Sequence, residues 1–239
     1  MQSRARPAAL ATAAAIGGLG LWAAIGTGEG ASAAAVTLRV VGLATLLALG
    51  AGLPAAFLLA RWQSPLRPFV EALLLTPLVL PPTVTGFALA ALLGEDGPLG
   101  FLGLVLTWQG AAVAGAVVAF PLFLRAARPA LSAIDGRYAA LARTLGAGSA
   151  ATLFRVTLPL AAPGLLTGTA LAVGRALGEF GATLMVAGSI PGATRTLPLA
   201  VYAAFKAEDD GQALGLSLIL VAVAVVLVGA AALLERRGP

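Results

Sequence analysis

Six long apolar runs divide this chain, at about 8–26, 36–60, 69–93, 106–124, 161–187 and 213–234. Wound as an α-helix at about 1.5 Å per residue, each reaches across a hydrocarbon layer of roughly 30 Å. Only 10% of the residues are charged, against roughly 25% in a soluble domain. So few charges do not cover a water-facing surface. The runs are continuous rather than alternating, and far longer than the roughly 9–11 residues of a barrel strand. The sequence therefore predicts an all-α integral membrane protein: one transmembrane domain over residues 1–239, with six membrane helices.

What the chain lacks narrows its chemistry. It has no Cys and no His. That removes disulfides, iron–sulfur clusters, thiol catalysis, His-ligated zinc or haem, and His-dependent triads. The net charge is +5, but the arginines are scattered between apolar runs and make no continuous basic face. The expected partner is a lipid bilayer and not a nucleic acid.

The charges orient the runs. Arg4 and Arg6 precede the first, and Arg61 and Arg67 lie between the second and third. Arg125, Arg128, Arg137, Arg143 and Arg155 lie between the fourth and fifth, and Arg236 and Arg237 follow the sixth. The opposite loops carry Glu29, Glu95, Asp96, Glu208, Asp209 and Asp210, with Arg195 and Lys206 as their basic residues. The positive-inside rule then puts both termini and the segment 125–160 in the cytoplasm. A rival reading takes Arg4, Arg6, the first run and Ala31-Ser32-Ala33 as a cleavable signal peptide. The run exceeds the usual h-region of about 7–15 residues, which favours a retained helix, and the later runs keep their orientation in both cases.

The stretch 130–160 is more than a tether. Ser132 and Asp135 are both candidate helix N-caps. An Ala-rich run follows, 138–145, carrying Arg137 and Arg143 at its edges, and Gly146 and Gly148 are expected to end it. A second amphipathic run, 150–158, is expected to stop at Pro159. On these features the segment is either a solvated loop with interfacial helices or a docking helix for a cytoplasmic partner.

Its residues also resemble a known family. Ala140-Leu141-Ala142-Arg143-Thr144-Leu145-Gly146, nine further residues, then Val156-Thr157-Leu158-Pro159, is similar to the cytoplasmic EAA motif of ABC importer permeases. Ala140 stands where that family has Glu, and Leu141 where it has the first Ala. The resemblance implies a coupling helix that seats on an ATPase subunit through Ala140, Leu141, Ala142, Arg143, Gly146, Val156, Leu158 and Pro159. A second stretch, running from Arg175-Ala176-Leu177-Gly178-Glu179-Phe180-Gly181 through Thr194-Arg195-Thr196-Leu197-Pro198, resembles the molybdate branch of the family. Leu78-Val79-Leu80-Pro81-Pro82-Thr83-Val84 fits it too. Sulfate and thiosulfate permeases are the nearest alternative. The resemblance implies a homodimer, a cytoplasmic ATPase dimer that binds ATP and Mg²⁺, and an extracytoplasmic oxyanion-binding protein. It implies no cofactor in this chain.

Within the fifth run, Arg175 and Glu179 are spaced i, i+4, which lets them neutralise one another on one helix face. A charge at the bilayer centre costs on the order of 3 kcal/mol, so the pair is either structural or lines an aqueous pathway. Thr183, four residues on, is expected on the same stripe, where it supplies a hydroxyl. Pro81 and Pro82, after Pro77, remove backbone donors from the third run and are expected to kink it, as a gate or as a packing feature. The single lysine follows Phe205, so the Gly-Lys pair of a phosphate-binding loop is absent, and energy is expected from another chain. Two rival functions are weaker. A stand-alone secondary transporter predicts inverted repeats, which are not evident, and leaves 130–160 unexplained. An intramembrane enzyme without His or Cys would need Glu179, Asp or Ser chemistry, and Glu179 has the Arg175 counter-charge beside it.

Overall fold

Alanine and glycine set how closely these helices approach. The computed structural model describes residues 28–235, with side chains to Val226. Among the described residues every regular element is helical. The helices are α1 Gly28–Arg61, α2 Arg67–Val79, α3 Pro82–Leu93, α4 Trp108–Ser132, α5 Gly136–Thr144, α6 Ser149–Leu177, α7 Gly181–Ala187, α8 Leu197–Lys206 and α9 Asp210–Glu235.

The core lies where α1, α4 and α6 pack together. Ala44, Ala48 and Ala56 of α1 face Ala112, Ala116 and Ala119 of α4 in that core, and Ala172 and Ala176 close it from α6. Phe123 fills the space that two glycines leave. A Cβ on Gly52 would fall 2.5 Å from its Cδ1, and one on Gly168 would fall 3.1 Å from its Cδ2. Small residues let three backbones close on one ring, which is how helices gain contact where lipid offers no hydrophobic driving force. A side-chain ion pair, Arg128 Nε to Glu71 Oε1 at 2.9 Å, fastens α2 to α4.

Among the described residues three helices are long and apolar enough to cross a membrane: α1, α4 and α6. The bent pair α2 and α3 makes a fourth if it counts as one span. The first expected span, 8–26, lies outside the described residues. The sixth corresponds to α9, 26 residues long. The uncharged part of α1, residues 40–60, measures about 31 Å, with Arg39 and Arg61 at its ends.

Three expected boundaries shift, each for a local reason. The third run is divided. Leu80 and Pro81 are extended, with ψ of 141° and 136°, and α2 and α3 meet at 106°. A residue before proline is pushed out of the α region, and here two such residues follow one another. The fifth run does not continue to Ala187. It stops at Leu177 and restarts at Gly181, with Phe180 at φ −129° and ψ −57° between them. The run 150–158 does not end at Pro159. A π-turn, Leu153–Thr157, absorbs the missing donor, and the helix carries on to Leu177. The wider turn moves the preceding carbonyls away from the proline ring.

Candidate functional site

Two places gather the residues singled out above. The first is α5 and its flanks. Asp135 is the N-cap, accepting from Arg137 N–H at 2.9 Å, while Ser132 is instead the last residue of α4. At the other end Gly146 N–H donates to Arg143 O at 2.9 Å and Ala147 N–H to Ala142 O at 3.0 Å. These two bonds make a Schellman closure, and Gly146 takes the left-handed conformation it needs, φ +84°. Gly148 does not share that role. Its φ is −69° and it is the N-cap of α6.

Helix α5 has no buried residue. Ala140, Leu141 and Arg143 are exposed, and Ala142 is half-buried. Tyr138, Leu141 and Leu145 show 53%, 61% and 81% of their surface. A nine-residue helix that keeps its apolar side chains in the open is far too short to be stable alone, and it presents those side chains for cover by another surface. Val156, Leu158 and Pro159 sit on α6, beyond the turn, at the root of the segment, where Val156 and Leu158 are half-buried and Pro159 is exposed.

The second place is the seam between the two helix breaks. Arg175, near the end of α6, brings Nη1 to 2.7 Å from Glu179 Oε2. Glu179 is 3% exposed. Its other oxygen, Oε1, accepts from Ala182 N–H at 2.7 Å, capping the first turn of α7. One carboxylate thus joins the end of one helix to the beginning of the next. Hydrogen-bond donors and a guanidinium together offset the cost of burying it. The start of α7 in turn lies on the start of α3: a Cβ on Gly181 would meet Pro82 Cβ at 3.0 Å. Pro81 and Pro82 are exposed on the outer side of this contact.

Arg175 and Glu179 are thus paired, and the contact of Gly181 with Pro82 sets the break that follows Glu179 beside the Pro81–Pro82 bend. Thr183 is not on the same stripe, because the helix that would carry it is broken at 178–180. It is 1% exposed, inside α7. The stripe argument failed because i, i+4 spacing implies a common face only where the helix is continuous.

Three further groups take on a role only in the fold. Arg39 is exposed at one edge of the uncharged part of α1, where a long side chain reaches the headgroup level. Its signal was available, since it is the one charge within 36–60. Arg195 pairs with Glu29, and its Nε and Nη2 donate to Ser189 Oγ at 3.1 Å and Ser189 O at 3.2 Å. Nothing in the sequence joins residues this far apart. Gly86 lies against α7, where its Cβ would come 2.7 Å from Ala182 Cα.

Comparison with known proteins fits this arrangement. Residues 48–237 match the family described as the binding-protein-dependent transport system inner membrane component. The chain is 40% identical over 200 residues to the molybdenum transport system permease protein ModB of Escherichia coli strain K12, covering 81% of this chain and 87% of that one. It is 39% identical over 213 residues to the protein of the same name in Mycobacterium tuberculosis, covering 87% and 80%. Among solved structures, an inward-facing form of the MetNI methionine ABC transporter aligns with a TM-score of 0.66 at 20% identity, over 85% of this chain and 93% of that one. That likeness speaks for the fold. The chain belongs to the family of binding-protein-dependent transport system inner membrane components.

Proposed function

We propose that this chain is the membrane-spanning subunit of an ATP-driven oxyanion importer, with molybdate or its close analogue tungstate as cargo. The observation that carries the reading is the similarity over 81% of the chain to permeases named for molybdenum transport. Two copies form the pathway between them. A separate ATPase pair binds ATP and Mg²⁺ and does the hydrolysis, and an extracytoplasmic binding protein delivers the oxyanion. The chain itself is no enzyme and holds no cofactor. It sits in the bacterial inner membrane with six spans, both termini and α5 on the cytoplasmic side.

Helix α5 is the coupling helix of this reading. Its open apolar face supports a docking role, and Ala140 in place of Glu leaves packing by Tyr138, Leu141 and Leu145 to make the contact. Closure of the ATPase pair pushes α5, and the push passes along α6, continuous from Ser149 to Leu177. A rigid helix about 43 Å long transmits displacement from one face of the membrane toward the other. It ends at Arg175 and Glu179, beside the Pro81–Pro82 bend. Arg175 draws an oxyanion toward the seam, and Glu179 weakens its hold so that the ion leaves again. Passage requires attraction without tight retention.

The test is reconstitution. The chain, its ATPase and its binding protein in proteoliposomes are expected to take up labelled molybdate only with ATP and only with binding protein, and to do so in excess sulfate. Uptake without nucleotide, or full competition by sulfate, would replace this reading.

A further inference from the structure

A cavity lies at the root of the bundle, beside the helix α5 that the proposed function assigns to ATPase docking. It has a volume of about 270 Å³ and lies between the end of α1, α5 and the start of α6. Arg61 and Arg143 both line it, with Ser149. Neither guanidinium has a carboxylate partner among the described residues. Arg61 rests instead over the Phe57 ring, 4.0 Å from its centre. Both guanidiniums are exposed at the recess, within reach of an anion, and a guanidinium fork suits a phosphate group.

A second cavity adjoins the first, sharing Phe57 and Leu153 with it. It measures about 250 Å³ and is lined by apolar side chains only, among them Leu53, Phe154 and Leu158. Phe154 is 67% exposed at its rim. The order along α1 is the order of a membrane boundary: the apolar recess at Leu53 and Phe57, then the cationic one at Arg61. Since the uncharged part of α1 spans about the hydrocarbon thickness, Arg61 sits at headgroup level. A free inorganic anion has no use for the apolar half. A phospholipid has a use for both.

We propose that the joined cavities bind one anionic phospholipid, with its phosphate between Arg61 and Arg143 and an acyl chain along Phe57, Leu153 and Phe154. The bound lipid bridges α1 to α5, a helix with no fully buried residue of its own. The site is independent of which ion the protein carries.

The experiment is native mass spectrometry of the full chain, solubilised with equal amounts of phosphatidylglycerol and phosphatidylcholine. The wild-type chain is expected to retain one phosphatidylglycerol in clear preference. The double substitution Arg61→Gln/Arg143→Gln is expected to lower that preference about twenty-five-fold, two charges each contributing roughly fivefold at an anionic surface. Arg61→Lys/Arg143→Lys keeps the charge and is expected to keep most of the preference. Phe154→Ala, with both arginines intact, is expected to weaken retention severalfold through the acyl chain. Should the Gln pair fail to remain monodisperse, the single substitutions read the same effect at about fivefold each. Three results overturn the assignment: wild-type preference in the Gln variants, displacement of the lipid by excess inorganic phosphate, or retention indifferent to Phe154→Ala.

Discussion

Gly181 and Pro82 are in contact across the seam of two broken helices, with room for no Cβ on the glycine beyond 3.0 Å from the proline's own. Gly86 repeats the relationship one turn along α3, where an added Cβ would stand 2.7 Å from Ala182 Cα. A flexible side chain can swing aside from such an intrusion, but a backbone atom cannot. Gly86→Val is therefore expected to part α3 from α7 and to destabilise the protein by about 1–3 kcal/mol. Thermal unfolding in detergent measures it. An unchanged Tm would mean that the two helices separate freely.

Glu179 makes two bonds that can be removed one at a time. Glu179→Gln keeps an oxygen for Ala182 N–H but leaves the Arg175 guanidinium without its counter-charge. Glu179→Ala removes both. Breaking a buried pair from one side costs on the order of 3 kcal/mol, because the remaining charge stays buried. Arg175 is about a quarter exposed, so the cost of Glu179→Gln is expected to fall below that and Glu179→Ala above it. Arg175→Ala is expected to impair molybdate uptake while the chain still assembles with its ATPase. Uptake at the wild-type rate would make the pair structural only.

The long apolar runs were legible because membrane burial writes itself into composition, and 36–60 lies inside α1, which runs from Gly28 to Arg61. The double-proline bend was legible for the same kind of reason: Pro81 and Pro82 carry their constraint wherever they stand. The break at 178–180 was not. Gly178 and Phe180 are compatible with a membrane helix, and what ends α6 is the gain from Glu179 capping α7 and from Gly181 meeting Pro82, a contact with another helix. Pro159 misled in the opposite direction, since a five-residue π-turn accommodates a proline that ordinarily stops a helix. The exposure of α5 was readable as amphipathicity. The openness of Leu145 and the absence of any cover for Tyr138 needed the fold.

Gly146 and Gly148 offer a controlled comparison. Each has nothing within 4 Å of where a Cβ would stand, so added bulk meets no clash at either. They differ in backbone: Gly146 is left-handed and Gly148 is not. Gly146→Ala is expected to cost about 1–2 kcal/mol of turn conformation and to loosen the closure of α5. Gly148→Ala is expected to be nearly silent. In the assembled transporter, ATPase activity that no longer responds to loaded binding protein in the first variant, and responds normally in the second, is the expected pattern. Equal responses would show that the left-handed turn is dispensable.

At the opposite end of the bundle, Thr37 supplies a cap that α8 does not provide for itself. Thr196 precedes α8 but its hydroxyl is buried without a partner, and the helix has no side-chain cap of its own. Instead Leu197 N–H donates to Thr37 Oγ1 at 2.8 Å, from 160 residues away, and the Thr37 hydroxyl donates in turn to Ala33 O at 2.7 Å. Thr37 and Leu197 are 2% and 1% exposed, so water cannot replace the lost bond. Thr37→Val leaves the Leu197 N–H unsatisfied and is expected to cost about 1–3 kcal/mol, whereas Thr37→Ser keeps both bonds and is expected to cost much less. The nearby Glu29–Arg195 pair joins the same two regions, but the Glu29 side chain is 36% exposed. Screened by water, that pair is worth at most about 1 kcal/mol, so Glu29→Gln is expected to matter less than Thr37→Val. Chemical denaturation of the three variants ranks them, and a larger loss from Glu29→Gln than from Thr37→Val would put the fastening of α1 to α8 in the ion pair and not in the buried hydroxyl.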